Sequence, residues 1–315
     1  MNEIKPSKPV PIYVMVGFVL GLLSPCLPIL AGLPAVYFSF YGLRQVYQSD
    51  GQLGGERLAQ FGLILGSLGT LVTLIGVASL VAIPWLARAR QAESMNRLRL
   101  IGEALALYAQ KDDRLPAATR DPEPLTPPER ISWMADLLPY LQPGTRQQPR
   151  WLDLAARLDR GVGWQAAANE TVRNTTIAVF VCPTHPDYNP KNRPAPTHYV
   201  GMAGVGIQAA YLPREDRQAG AFGHDRGVRL AEVQRGTSHT IGVLETGWEN
   251  GPWLAGDRPT VRGMPGEGES LLGVDRPFGG MHRGLTLILF LDGSVRSFHN
   301  ETAGELLRQQ ARLAE

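Results

Sequence analysis

The sequence predicts an α+β protein carried on N-terminal transmembrane helices, and three observations predict it. Two apolar blocks, residues 12–43 and 58–87, hold no charged side chain. A helical stripe follows the second block with no proline between Pro84 and Pro116. Short β-branched runs then alternate with proline- and glycine-rich stretches to the C-terminus. Among 315 residues, 31 Lys+Arg stand against 29 Asp+Glu, a net charge of +2 that favours neither nucleic acid nor another strongly charged partner. The charge is segregated, because most of the Arg, Asp and Glu fall after residue 88.

The first block is about 32 residues long, beyond the ~20 that a helix needs to cross a bilayer core. Pro25, Pro28 and Pro34 interrupt it. It reads either as one tilted, kinked span with an interfacial segment or as a tight helical hairpin. Lys5 and Lys8 ahead of it also suit a secretory signal peptide, but the run outlasts an h-region. A polar loop, Arg44–Gln60, leads to Phe61–Ala87, which is long enough to span. Gly66 and Gly69 permit close helix approach there, and Trp85, Arg88 and Arg90 form an interfacial anchor at its end. Met95, Leu98, Ile101, Leu105 and Tyr108 then recur at spacings of three and four. One helix is therefore expected to run from the membrane into the soluble part. The expected organisation is a membrane segment and loop over 1–60, a helix over 61–110 and a soluble α+β domain over 111–315. The lipid bilayer is the partner this composition demands.

Within the soluble part, Ile131–Gly144 predicts a short amphipathic helix and 151–170 a second. Thr175–Pro183 reads as a buried strand, Thr197–Gly206 as a short strand with glycine bends, and His239–Thr246 as another strand. Gly284–Asn300 holds two β-rich runs joined at Asp292-Gly293, a strong hairpin signal because both residues tolerate positive φ. Residues 301–315 read as a C-terminal helix. The sheet is expected to be mostly antiparallel, with the long helix packed on it. Cys26 and Cys182, one in an apolar block and one far into the polar part, are not expected to pair.

The ordered set NRLRLIGEALALYAQ, SWMADLLPYL, FVCPTHPD, THYVGMAG, GTSHTIGVLE and GPW ends in His282, nine residues, then Asp292-Gly293. Over about residues 80–315 it resembles the H-X9-DG family, a prepilin-like bacterial domain of unknown function (1559) common in planctomycete-type bacteria. The N-terminal part separately resembles a small two-span bacterial membrane domain. The resemblance implies a pilin-like spine helix and an extracytoplasmic domain. Prepilins carry a short basic leader and a glutamate early in the apolar helix, whereas Phe61–Ala87 holds no acidic residue and follows another membrane segment. The expectation is therefore an uncleaved, permanently tethered protein.

Candidate chemistry is sparse. His282 and Asp292 admit a metal or polar-ligand site, but about seven strand residues between them put them roughly 20 Å apart. The motif His282, Asp292, Gly293 thus reads as structural. His185, His198, His224, His239 and His299 lack HxH or HExxH spacing, so zinc has no support from spacing. Asp112, Asp113 and Asp187 read as solvated carboxylates before calcium ligands. Ser238 and His239 point to opposite faces of a strand, no GxSxG is present, and GMPGEG (263–268) lacks the Lys-Ser/Thr of a phosphate loop. Trp133, Trp151, Trp164, Trp248 and Trp253 are expected chiefly in the core. Glu245, Trp248 and Trp253 mark the first place to seek a binding surface.

No catalytic residue, cofactor or metal is assigned. The expected function is a structural or protein-interaction role at the bacterial inner membrane, with other envelope or pilin-like proteins as partners. The competing reading is a metal- or ligand-binding protein, or an enzyme, using His282 and neighbouring loops. Arg88, Arg90, Arg97 and Arg99 alone would place the domain inside, while the resemblance places it outside.

Overall fold

The computed structural model describes residues 8–24, 27–119, 124–185, 193–266 and 270–314. Lys5, Pro25, Cys26, Asp187 and the 267–268 end of the GMPGEG stretch lie outside them. Two compact units divide the chain at residue 87.

In the first unit, helix α1 (Ile12–Leu23) is joined to α2 (Leu33–Gln48) through a π-helical turn at Pro28–Gly32. A Cβ on Gly17 would lie 2.6 Å from the backbone nitrogen of Ser39, and one on Gly42 would lie 2.9 Å from that of Val14. Helix α2 therefore runs back along α1 at a separation that only glycine permits. Of the two readings of residues 12–43, the hairpin is the one observed. Its arms are short, 12 and 16 residues against the ~20 of a span. The expectation of several transmembrane helices narrows accordingly. Among the described residues one helix, α3 (Glu56–Asp112, 57 residues), is long and apolar enough to cross a membrane.

Pro84 sits inside α3 and removes one backbone donor without ending the helix. Around it Leu80 is 76% exposed and Trp85 69%, apolar surface that water would penalise. Beyond Arg88 the same helix buries Leu98, Ile101, Leu105 and Tyr108. Ser94, not Met95, takes the first buried position of that stripe, four residues before Leu98.

In the second unit five strands, β1 (Tyr199–Val205), β2 (Ile241–Glu245), β3 (Val261–Met264), β4 (Leu285–Phe290) and β5 (Val295–His299), form one sheet in the order β3-β1-β2-β4-β5. Three ladders are antiparallel and β1–β3 is parallel, so the sheet is mixed. One core joins α3 to Val243, Leu287, Leu289, Trp133, Phe180 and Trp253. A second core joins Val200, Leu244, Ile288 and Phe290 to Leu307 and Ala311 at the C-terminal helix. Burial on both faces explains why β1, β2 and β4 read as continuous apolar runs.

Several elements depart from the sequence reading. Ile131–Gly144 yields only α4 (Met134–Leu137) and a 3-10 turn, since Pro139 cannot extend it. The expected 151–170 helix is α5 (Gln148–Ala156) and a separate single turn, α6 (Glu170–Arg173). The C-terminal helix is α7 (Gly304–Gln310). Thr175–Pro183 is buried but is not a strand: it holds a 3-10 turn at Ala178–Phe180, and the Phe180 carbonyl accepts from His198 N–H and Thr197 Oγ1. Strand β3 covers Gly263-Met264, where only a loop was expected. The hairpin turn is a three-residue connection, with Gly293 N–H donating to Phe290 O at 3.0 Å and only Gly293 of the pair at positive φ (+84°).

Candidate functional site

Cys182, Glu245 and His282 come together in the second unit. Cys182 follows the 3-10 turn, Glu245 ends β2, and His282 closes the turn into β4, its carbonyl accepting from Leu285 N–H. Their ligand-type atoms all lie within 4.8 Å of one another. Cys182 Sγ is 3.9 Å from His282 Nε2, which is 3.3 Å from Glu245 Oε2. Glu245 Oε1 accepts a 2.8 Å hydrogen bond from Leu287 N–H. Oε2, in ion-pair range of the imidazole, makes no hydrogen bond. From α3, Ser94 Oγ reaches Cys182 Sγ at 2.9 Å and the Tyr199 hydroxyl at 3.4 Å. Cys182, Glu245, Ser94 and Tyr199 are fully buried, and His282 is 7% exposed.

The backbone of Cys182 is also held. Its N–H donates to His198 Nδ1 at 2.9 Å, and Arg97 Nη1 donates to the adjacent Val181 carbonyl at 2.6 Å. The His198 ring stacks on His185 with centroids 4.1 Å apart. Burial, with the charge of His185, pulls the pKa of His198 down to about 3, so it is a neutral acceptor. For His282, burial pulls the pKa down, but the thiol of Cys182 and the carboxylate of Glu245 more than offset it and hold it at about 9. Burial raises Glu245 above the usual carboxylate range against the pull of His282 and Leu287 N–H. Burial also raises the Tyr199 hydroxyl.

The residues singled out from the sequence separate into two groups. Asp292 Oδ1 accepts from Ser294 N–H at 2.9 Å and from Ser294 Oγ at 2.7 Å, so it organises the turn with Gly293. Across β4 from that turn, His282 contacts Glu245 and Cys182. Glu245, Trp248 and Trp253 do not share one surface. Glu245 and Trp253 are fully buried, the latter donating Nε1–H to Thr175 O at 3.0 Å. Trp248, 38% exposed, lines a cavity of about 220 Å³ with Ile207, Arg258 and Pro265. The correction has a plain cause: Glu245 is a strand residue in a sheet covered on both faces, and Trp253 fills the core beneath it. Cys182 and Ser94 went unassigned. In the sequence Cys182 bears only on disulfide pairing, and Ser94 is marked only by its place four residues before Leu98.

A family model described as a protein of unknown function, DUF1559, matches residues 87–258. The match takes in more than half of the chain, including Ser94, Cys182, His198 and Glu245. The chain belongs to the DUF1559 family. His282, Asp292 and Gly293 lie beyond the matched stretch, as does everything before residue 87. No curated protein and no solved structure matches the chain. The DUF1559 region begins one residue before the second compact unit, at the last residue of the apolar part of α3.

Proposed function

We propose that this DUF1559 protein is a membrane-tethered, prepilin-like component of the bacterial envelope with a structural or protein-interaction role and without catalysis. The observation that carries the reading is α3, one helix that is apolar and exposed before Arg88 and buried in a domain core after it. Such a helix is both anchor and spine, so the domain cannot be released without cutting its own core element. The depth of the Cys182–Glu245–His282 cluster supports a non-catalytic role, because a substrate has no surface there to approach.

The domain is assigned to the extracytoplasmic side. The α1–α2 hairpin returns the chain toward the side where α1 begins, and Gly54 N–H donates to Pro9 O at 3.0 Å just before α3 starts. A single crossing by α3 then sets Lys8, Arg44 and Arg57 on the inside, as the positive-inside rule prefers, with Arg88 and Arg90 opposing. The test is a reporter pair fused after residue 315. Active alkaline phosphatase with dark green fluorescent protein is expected, and the reverse pattern overturns the assignment. Extraction of the full chain by alkaline carbonate would overturn the anchor. Crosslinking in membranes is expected to give discrete adducts; a chain that stays monomeric under all conditions would refute the interaction role.

A further inference from the structure

We propose that Cys182 Sγ, Glu245 Oε2 and His282 Nε2 form a structural site for a divalent transition metal, with zinc as the ion the donor set fits best. The inference goes beyond the non-catalytic envelope role and stands whether or not that role does.

The geometry comes first. Zinc bonds of about 2.3 Å to sulfur and about 2.0–2.2 Å to nitrogen and oxygen, in a tetrahedron, set ligand atoms roughly 3.4–3.6 Å apart. The observed separations, 3.9 Å for Cys182–His282 and 3.3 Å for His282–Glu245, are close to those edges. The three donors come from different parts of the chain, so no short spacing motif announces them.

A second, independent observation concerns the carboxylate. Glu245 is fully buried, its Oε1 is occupied by Leu287 N–H, and its Oε2 has the 3.3 Å ion-pair contact with His282 Nε2 but no hydrogen bond among the described residues. A buried acceptor left wholly open costs about 1–3 kcal/mol, and more when it is charged, so an oxygen held by one ion-pair contact outside hydrogen-bond geometry keeps part of that cost. A cation bound at Oε2 removes that cost. Charge agrees, because a thiolate and a carboxylate together neutralise a divalent ion and so lower the cost of burying it.

Donor chemistry selects the ion. A thiolate with an imidazole and one carboxylate oxygen suits a borderline-soft metal and disfavours calcium or magnesium, which take oxygen cages. Binding requires Cys182 to lose its proton and His282 to be neutral at Nε2. Ser94 Oγ, 2.9 Å from Sγ, either donates to the thiolate or offers a fourth ligand. The His198 acceptor and Arg97 donor fix the backbone on which Cys182 is presented, the kind of outer support that holds ligands in place. Bound there, the metal ties the 3-10 segment, β2 and the entry to β4 beneath α3.

The experiment uses the tag-free full chain in detergent. Mass spectrometry is expected to find one zinc per chain that survives dialysis, and a strong chelator should remove it with a fall in melting temperature. Cobalt added to the stripped protein should give the intense near-ultraviolet thiolate charge-transfer band. Cys182→Ser should abolish that band, and Glu245→Gln or His282→Gln should weaken metal affinity by about tenfold or more. A folded wild-type chain that retains no metal and develops no band overturns the proposal. So does a band that Cys182→Ser leaves unchanged. If the variants fail to fold, the wild-type cobalt spectrum and the chelator response still decide.

Discussion

Two buried polar centres sit on either side of the end of β2, and they keep their hydrogen-bond accounts differently. Glu245 faces Cys182 and His282, while its neighbour Thr246 serves Arg262, as alternation along an extended chain allows. Arg262 on β3 is 6% exposed, and among the described residues no carboxylate lies in ion-pair contact with it. Its guanidinium instead donates to carbonyls of Trp248 (2.9 Å), Pro277 (3.2 Å), Glu249 (2.6 Å) and Arg258 (2.9 Å), and to Thr246 Oγ1 (3.1 Å). Burial lowers its pKa to about 10, which leaves it charged at neutral pH. The protein thus can bury a charge with each guanidinium nitrogen hydrogen-bonded. Against that, Oε2 of Glu245 has an ion-pair contact with His282 but no hydrogen bond among the described residues. It marks a centre built for something more.

Emptying the Arg262 centre should destabilise the fold most. Arg262→Leu withdraws the guanidinium from four backbone carbonyls. The Thr246 hydroxyl can still serve Trp248 O or Pro277 O, while Glu249 O and Arg258 O lose this donor, at a cost of about 1–3 kcal/mol for each buried acceptor that water cannot reach. The expected loss is above about 3 kcal/mol, read by chemical denaturation of the full chain in detergent. Arg262→Lys, with a charge but fewer donors, should fall between the two. A loss under about 1 kcal/mol for Arg262→Leu would mean that the carbonyl cage does not stabilise the fold. Metal content should be unchanged in both variants.

These centres were unequally legible in the sequence. Apolar periodicity exposed the long helix, and β-branched runs exposed β1, β2 and β4, because burial on both sheet faces leaves uninterrupted apolar stretches, while the Asp292-Gly293 turn signal exposed the edge strand β5. Strand β3 was invisible: its four residues, Val261-Arg262-Gly263-Met264, include a charge and a glycine, and only pairing with β1 makes them a strand. The Thr175–Pro183 run has strand composition, yet its Phe180 carbonyl is claimed by Thr197 and His198 and its Val181 carbonyl by Arg97, tertiary facts that no local pattern carries. The site failed for a related reason. His282 and Glu245 were both noticed, but their meeting depends on β2 and β4 being neighbours in register, Leu244 opposite Ile288. Cys182 joins them from a segment outside the sheet.

The two centres also respond differently to pH, because their groups titrate in different ranges. Arg262 stays charged throughout the acid range. His198, which holds the backbone of Cys182, has its folded pKa pulled to about 3 against an ordinary 6.5. Above pH 6.5 it is neutral in both states and its contribution is fully present. Below 6.5 the unfolded chain takes up a proton that the folded chain refuses, so stability falls by about 1.4 kcal/mol per pH unit toward pH 3. Lowering the pH from 6.5 to 5 should therefore cost about 2 kcal/mol through this one group. In His198→Gln, whose amide oxygen can still accept from Cys182 N–H, that slope should be flatter. Equal slopes for the two proteins would show that His198 is not held neutral by its surroundings.

The smallest expected effect separates the two ends of the His282…Asp292-Gly293 stretch. If the turn belongs with the fully satisfied centre, disturbing it costs only backbone strain and leaves the metal site alone. Gly293 has φ +84°, and nothing lies within 4 Å of the position a Cβ would take. Gly293→Ala should then cost about 1–2 kcal/mol from left-handed backbone alone, with no clash added. Asp292 keeps its acceptor role for Ser294, so β4 and β5 should remain paired in register. Cobalt affinity and the thiolate band should match the wild type, since β4 separates the turn from His282 by about 20 Å of strand. A Gly293→Ala chain that folds but loses the band would tie the turn to the cluster and merge the two centres into one functional unit.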